Sequence, residues 1–453
     1  MNSNRDHGQA SGTSRRQFLG LLGAGAASAL LGACLPGSPT PGARQGQPVQ
    51  LVYQDWRTDW FPAMAQEMLA QFHAQHPDIR VFYVPDPLNV EEQLPMDMRN
   101  GNAPDVFAAC CAFFPIIGQQ GYALDLRQFV VEELDQATID DWDGAQVRSL
   151  FTREGVQYGL PKYHGALALY YNKDLFDRYA VAYPDHTWDH EDYLEAMRRL
   201  THDRDGDGEI DLWGSMFDVS WDRIQMHVNG WGGHFVDPDD PTRSGMANPE
   251  ALAAMEWLRA RLWDDHVMAT PLDVNNRSTR QAFVDQVVAM VEDGSWSLKD
   301  ILANATFRVG VAPLPAGPAR RVTLATTDGF GIYAQTRYPD AARQLLKFLV
   351  SPDYGRAMAR ANFLQPARAS LVPEWVDFIR EEFPVQTQDL DIAAFADGQI
   401  KGYSVTAEVF SNMAAAQRLA SAAWQEIFVL GQAPVRQMIE VSRQIEAAQQ
   451  GRG

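Results

Sequence analysis

A strand, a helix and a second strand follow one another between residues 50 and 84, and this order constrains the fold more than any other feature of the chain. Residues 50–54 form a short apolar run. Residues 61–75 repeat apolar side chains at helical spacing through Met64, Met68, Leu69 and Phe72, stop at His76-Pro77, and give way to a second apolar run at 79–84. Parallel strands need a crossover, and a helix is the usual one, so this is a βαβ unit. The pattern then repeats, with a helix at 91–99, a buried strand at 104–109, a short helix at 116–122 and a strand at 166–171 closed by Asn172 as a cap. An α/β fold with mostly parallel strands follows. The second half turns helical, with amphipathic spacing over 189–200, 249–263, 278–284, 340–349, 352–361, 373–380 and 407–430, and further strands at 287–291, 308–312 and 329–334.

The segment ahead of the first strand has a different character. Ser14-Arg15-Arg16-Gln17-Phe18-Leu19 resembles the twin-arginine export motif, with Gly20 where a lysine is common, and an apolar run covers 19–31. At about 1.5 Å per residue that run reaches roughly 20 Å as a helix, short of a hydrocarbon core of about 30 Å. A permanent membrane span is therefore disfavoured. Leu31-Gly32-Ala33-Cys34 resembles a lipoprotein peptidase site, which implies a signal peptide over 1–33 and a mature chain starting at Cys34 with lipid on its sulfur. The alternative is an ordinary cleaved signal and an unmodified thiol. Residues 34–48 are rich in proline, glycine and serine, and read as a flexible tether.

After signal and tether about 405 residues remain, enough for two lobes or more, and a hydrophobic content of 46% with twelve tryptophans provides a real core. The 38 Lys and Arg against 58 Asp and Glu leave a formal charge of −20, which disfavours nucleic acid and anionic lipid as partners. Beyond Cys34 only Cys110 and Cys111 remain, adjacent in an apolar stretch. Neighbouring cysteines rarely bridge, because one trans peptide step of about 3.8 Å is shorter than the usual Cα separation of about 5.5 Å. Two buried free thiols are expected, with a vicinal redox pair as the alternative.

Several short strings recur in a recognisable order: Phe72 to Val81 across the helix-to-strand step, Ala103-Pro104-Asp105-Val106, Tyr158-Gly159-Leu160-Pro161, and Ala168-Leu169-Tyr170-Tyr171-Asn172-Lys173. Further on come Thr187-Trp188-Asp189, Val288-Ala289-Met290 with Gly294-Ser295-Trp296, Ala312-Pro313-Leu314-Pro315, and Ala341 with 346–349 ahead of Ser351-Pro352. In this order the chain resembles the extracellular solute-binding proteins of ABC importers, the group that binds maltose, oligosaccharides and glycerol phosphate. The resemblance implies a two-lobe periplasmic-binding-protein fold with a multi-strand hinge and a ligand cleft between the lobes. Lobe 1 is expected over 49–162 plus 311–358 and lobe 2 over 163–310 plus 359–447, with crossings at 159–162 and 310–313. It also implies a sugar as ligand, an ABC permease as partner, lipid anchoring outside the cytoplasm, and a monomer without enzymatic activity. A glycerol-phosphate or polyol ligand is the alternative, and a secreted carbohydrate hydrolase the remaining one.

A sugar has apolar faces and a rim of hydroxyls, so its site needs flat aromatics and fixed polar groups. Trp56 follows the first strand and Trp60 opens the next helix. Trp221, Trp231 and Trp296 are expected on loops near glycines, against a core role for Trp257 and Trp424. Asp55 or Asp105, together with Asp328 and Gly329 in Thr326-Thr327-Asp328-Gly329, are candidates for the hydroxyls. Tyr163, His164 and Arg368 match positions near the family's ligand. Asp203, Asp205, Asp207 and Asp211, with Gly206 between, follow the spacing of a calcium loop, but its twelfth position is Gly214 where that loop needs a bidentate glutamate. The loop is thus either a calcium site or a plain acidic turn, and no other cofactor is expected. No G-x-S-x-G elbow, H-E-x-x-H pair or phosphate loop supports an enzyme.

Overall fold

The structure, a computed structural model, describes residues 48–111 and 113–451. The expected signal peptide, Cys34 and all of the tether but Pro48 lie outside the described residues. In chain order the strands are β1 Val49–Asp55, β2 Ile79–Pro85, β3 Val106–Ala109, β4 Leu160–Pro161, β5 Leu167–Asn172, β6 Trp213–Met216, β7 Met268–Ala269, β8 Val288–Gly294, β9 Val309–Ala312, β10 Thr323–Leu324, β11 Gly329–Ile332 and β12 Ser404–Val405.

Two five-stranded sheets define two lobes. The first has the order β2-β1-β3-β11-β4, with β1 parallel to both β2 and β3 and β11 antiparallel to β3 and β4. The second has the order β7-β6-β8-β5-β9, with β6 parallel to β7 and β8 and β5 antiparallel to β8 and β9. Helices cover both faces of each sheet, as buried parallel strands require. The helix Phe61–Gln75 buries Phe61, Met64, Ala65, Met68, Leu69 and Phe72, the stripe legible in the sequence, against the first sheet. Local signals set the helix starts. Asp189 and Asp192 form a reciprocal capping box, Asn172 accepts from the N–H groups of Asp174 and Leu175, and proline opens the helices Pro249–Trp263 and Pro339–Leu349.

Three segments lie side by side between the lobes. Lys162 N donates to Asp328 O at 3.1 Å, Thr326 N to Gly165 O at 3.0 Å and His164 N to Gln365 O at 2.9 Å. The buried Gln146 side chain ties two of them, donating to the carbonyls of Tyr163 at 2.7 Å and Thr326 at 2.9 Å. Residues 310–313, expected as the second crossing, lie elsewhere: β9 pairs with β5 in the second sheet, and the return to the first sheet is made by the segment through Thr326 and Asp328. The apolar run at 309–312 served a strand there, which its length alone could not assign to either lobe.

Three other expectations shift. The helix expected over 407–430 begins only at Met413, because the Glu408 N–H donates to the side chain of Gln225 at 2.7 Å instead of entering a helical ladder. Cys110 is half-buried and Cys111 exposed, not buried, since β3 ends at Ala109 and the chain leaves the sheet at its edge. Trp221 and Trp231, expected on loops, begin and cap the helix Trp221–Gly230.

Candidate functional site: the interlobe cleft

β1 and β3 run parallel and end near the second lobe, carrying Asp55 and Trp56 on one and Cys110 and Cys111 on the other. In the second lobe the ends of parallel β6 and β8 lead to the helix start at Trp221–Asp222–Arg223 and to Ser295–Trp296. The two sets converge, since the electrostatic neighbours of Asp328 include Lys162, Asp55 and Asp222, and those of Cys111 include Asp328 and Asp222. The lobes also touch elsewhere. Gln119 donates to Phe410 O at 3.2 Å and Arg153 to Asp239 O at 2.6 Å.

The floor on the first-lobe side is a buried ion pair. Lys162 Nζ meets Asp55 Oδ1 with both side chains at most 1% exposed, and lies 3.2 Å from the Trp56 ring centroid. Burial pulls the Lys162 ammonium below its ordinary range while Asp55 pulls it back. Asp55 also accepts from the Tyr53 hydroxyl and from Trp56 N at 2.7 Å. Its oxygens are thus already engaged by groups of the protein itself. Trp56 is half-buried and stacks edge-on against Tyr163 at 5.4 Å.

Asp328 is 3% exposed. Burial pushes its carboxyl up to about 7, with Thr326 and Lys162 opposing the rise and Asp222 and Asp55 adding to it. Burial likewise raises the Asp222 carboxyl, against the pull of Arg223. Asp222 Oδ1, Arg223 Nε and Nη1, Ser295 Oγ and Thr327 Oγ1 are all buried without a hydrogen-bond partner. Arg223 has only longer-range ion pairing, at 3.8 Å from Asp218 and 4.0 Å from Asp293, and its guanidinium carbon is 5.8 Å from the Trp296 ring. Trp296 is half-buried, and glycine makes its position possible: a Cβ on Gly165 would lie 2.9 Å from its ring and 2.5 Å from Thr326 Oγ1. Of the residues expected at the site, Trp56, Tyr163, Asp328 and Trp296 are placed around this region.

The other expected residues are engaged in packing or in contacts within the fold. Asp105 precedes β3, at the opposite edge, where its carboxylate accepts from Val52 N at 2.8 Å and Thr336 Oγ1 at 2.6 Å. Trp231 ends the helix that Trp221 begins and packs 4.4 Å from His190 and 5.7 Å from Trp257 in the second-lobe core. Trp221 itself is buried against Phe235, Phe410 and Trp424. Arg368 lies over Trp142 and donates to Val350 O at 3.1 Å. Gly329 is needed for packing, since a Cβ there would lie 2.7 Å from Leu160 O. His164 is fully buried, between Asp143 Oδ2 at 3.2 Å and Gln365 Nε2 at 3.1 Å, and serves the hinge.

The acidic loop brings together only part of its expected set. Ligand atoms of Asp203, Asp205 and Asp211 lie within 4.8 Å of one another, and Asp207 is not among them. Asp203 already accepts from the N–H groups of Gly206 and Gly208, and Asp211 is paired with Arg204 at 2.8 Å. A calcium ion would have to displace that arginine, so the residues present fit the ion poorly.

A sequence profile of the bacterial extracellular solute-binding proteins matches residues 55–356. The chain belongs to this family. A maltodextrin-binding protein of Bacillus subtilis is 26% identical over 273 residues, covering 57% of this chain and 59% of that one. A lipoprotein of Streptomyces antibioticus is 25% identical over 346 residues, 74% of this chain and 73% of its own. Among solved structures, an ABC substrate-binding protein of Listeria monocytogenes in complex with cycloalternan superposes with a TM-score of 0.76 at 20% identity, covering 89% of this chain and all of that one, a likeness of fold. The family's two-lobe architecture is the one described above, and among the described residues no helix is long and apolar enough to cross a membrane.

Sequence reasoning missed Asp222 and Arg223. The sequence signals only the helix start, since Ser220 supplies a small polar residue at the cap position four residues after β6 ends at Met216, and says nothing of the unpartnered atoms on Asp222 and Arg223.

Proposed function

We propose that this chain is the extracytoplasmic binding component of an ABC importer, that it holds a neutral sugar or oligosaccharide in the interlobe cleft, and that it delivers it to a permease. The observation that carries this reading is the set of buried, unpartnered polar atoms on Asp222, Arg223, Ser295 and Thr327, set beside the half-buried Trp296 ring and, across the cleft, Trp56. An unpartnered buried polar group costs about 1–3 kcal/mol, and hydroxyls of a sugar supply both donors and acceptors for such groups. The ring faces suit its C–H surfaces. Asp328, poised near neutrality, can donate as well as accept.

A phosphorylated ligand fits less well. The buried carboxyl of Asp328 and the half-buried one of Asp222 border the cleft, and Lys162 is already neutralised by Asp55. Arg223 is the one cation there with free donors among the described residues. No step of bond cleavage is assigned to these groups: the protein binds and releases its ligand unchanged, as a monomer anchored through lipid on Cys34.

A thermal-shift panel of neutral sugars, oligosaccharides, polyols and glycerol phosphates tests the reading. Ligand at one hundred times its dissociation constant adds about 2.7 kcal/mol of stability. A sugar should raise the melting temperature and be recovered intact. A response confined to phosphorylated ligands, or hydrolysis of the bound oligosaccharide, would overturn it.

A further inference from the structure

Cys110 and Cys111 stand together at the end of β3, on the first-lobe wall of the cleft, with their sulfurs 3.1 Å apart. Cys111 is exposed and holds a left-handed backbone, φ 55°, unusual for a residue with a side chain. The carboxyl groups of Asp222 and Asp328 are among its electrostatic neighbours, so the pair borders the groups described above. Nothing in the fold needs two thiols here. Cys110 packs at the margin of a first-lobe core cluster, whereas Cys111 is exposed, and a residue with φ near 55° invites glycine or asparagine.

We propose that Cys110 and Cys111 are a reversible redox couple that closes to a vicinal disulfide and thereby alters the first-lobe wall of the cleft. The oxidant is a low-molecular-weight disulfide of the extracellular setting in which the family works. The hydrogen bond with Cys110 and the neighbouring carboxylates raise the Cys111 thiol well above its ordinary range, so only a small fraction is thiolate and the exchange is slow; that thiolate attacks one sulfur of the reagent, expelling a thiolate. Cys110 then loses its proton and attacks the mixed disulfide at Cys111, expelling the second thiolate. Two electrons pass from the pair to the reagent, and the two protons end on the two released thiols. Adjacent Cα atoms are only about 3.8 Å apart, below the unstrained range of about 4.4–6.8 Å, so the bond is strained and readily reduced, as a switch requires. Closing it draws the sulfurs from 3.1 Å to about 2.05 Å and must rework the backbone at Cys111.

The test treats the purified full-length mature protein with oxidised glutathione, then alkylates, digests without reduction and weighs the peptides. The peptide carrying both cysteines should be lighter by two hydrogens than its reduced form, and the thiol count should fall by two without dimer formation. That drop is readable whether or not Cys34, the third cysteine of the sequence, carries lipid. Dithiothreitol should restore both thiols, and Cys110→Ser should stop at the glutathione adduct on Cys111. Two thiols still open to alkylation, or a stable glutathione adduct on the unaltered protein, would overturn the couple. The effect on binding rests on the proposed sugar site. The oxidised form should bind the panel's best sugar about tenfold more weakly than the reduced form. Equal affinity with the disulfide formed would overturn the switch, whereas sugar binding by neither form would instead indict the proposed site.

Discussion

Asp328→Asn isolates one buried carboxyl, and its effect can be worked from the structure. The group moves from an ordinary value of 3.8 in the unfolded chain to about 7 when folded, mainly through burial. Between those values the folded protein holds the extra proton, so stability is greatest at acid pH and declines as pH rises through the folded value. The sign is opposite to that of a salt-bridged carboxylate. From pH 5 to pH 8 the native group resists ionisation over roughly two units, which at about 1.36 kcal/mol each is a loss of about 2.7 kcal/mol. Asparagine keeps the shape and does not titrate. Urea unfolding of both proteins without ligand, at pH 5 and pH 8, should therefore show the parent losing about 2–3 kcal/mol more than the variant over that interval. Lys162, Asp55, Asp222 and Thr326, which face the group, remain in both proteins, and their own pH responses largely cancel in the difference. Parallel pH profiles, or a parent that gains on the variant at pH 8, would refute the burial argument.

Lys162→Met leaves Asp55 buried without its cation and should cost about 3–5 kcal/mol in chemical unfolding, with the double variant Lys162→Met, Asp55→Asn recovering most of the loss; an undiminished midpoint for the single variant would show that the pair is not buried in solution. Trp296→Ala removes about 60 Å² of sugar contact, or roughly 1.5 kcal/mol, so titration calorimetry should show about tenfold weaker binding with little change in the melting temperature. Chelator and added calcium should leave the melt of the parent unchanged, because Arg204 holds Asp211; a rise with calcium that Asp205→Ala abolishes would restore the loop as a metal site. Cys34→Ser should release the protein from membranes in a fractionation experiment, and unchanged membrane partition would count against the lipid anchor.

The fold was legible wherever one element could be read without its neighbours. The stripe from Met64 to Phe72, the cap at Asn172 and the Asp189 box carry their own signals in sequence, and each marks the helix observed. Lobe membership was less legible at 310–313, because an apolar strand four residues long fits either sheet and its pairing with β5 is non-local. The site shows the same division. The Gly-Ser-Trp context pointed to Trp296, which stands half-buried beside Arg223. Asp105 and Trp231 resemble ligand residues in type, and only the direction of β3 and of the helix Trp221–Gly230 reveals that they stand at the far ends of the elements concerned.

Asp222 and Arg223 could not have been ranked from sequence, since what distinguishes them is an unmet hydrogen bond in a buried place. That property also connects binding to closure. Asp222, Arg223 and Ser295 belong to the second lobe and Thr327 to a hinge segment, while Trp56 and the Lys162–Asp55 pair belong to the first. When the lobes come together without a ligand, each unpartnered group loses its water and gains nothing, at about 1–3 kcal/mol apiece. Several such groups oppose closure by more than the few kcal/mol that usually separate two conformers. A ligand whose hydroxyls reach them removes that opposition, and one lacking a hydroxyl leaves part of it in place. With the proposed sugar site, specificity and the shift toward the closed form share one origin, and a deoxy sugar should bind more weakly and close the lobes less completely, to be read as a smaller decrease in radius of gyration at saturation. A deoxy analogue that bound weakly yet closed the lobes fully would separate the two effects and place the control of closure in the hinge segments alone.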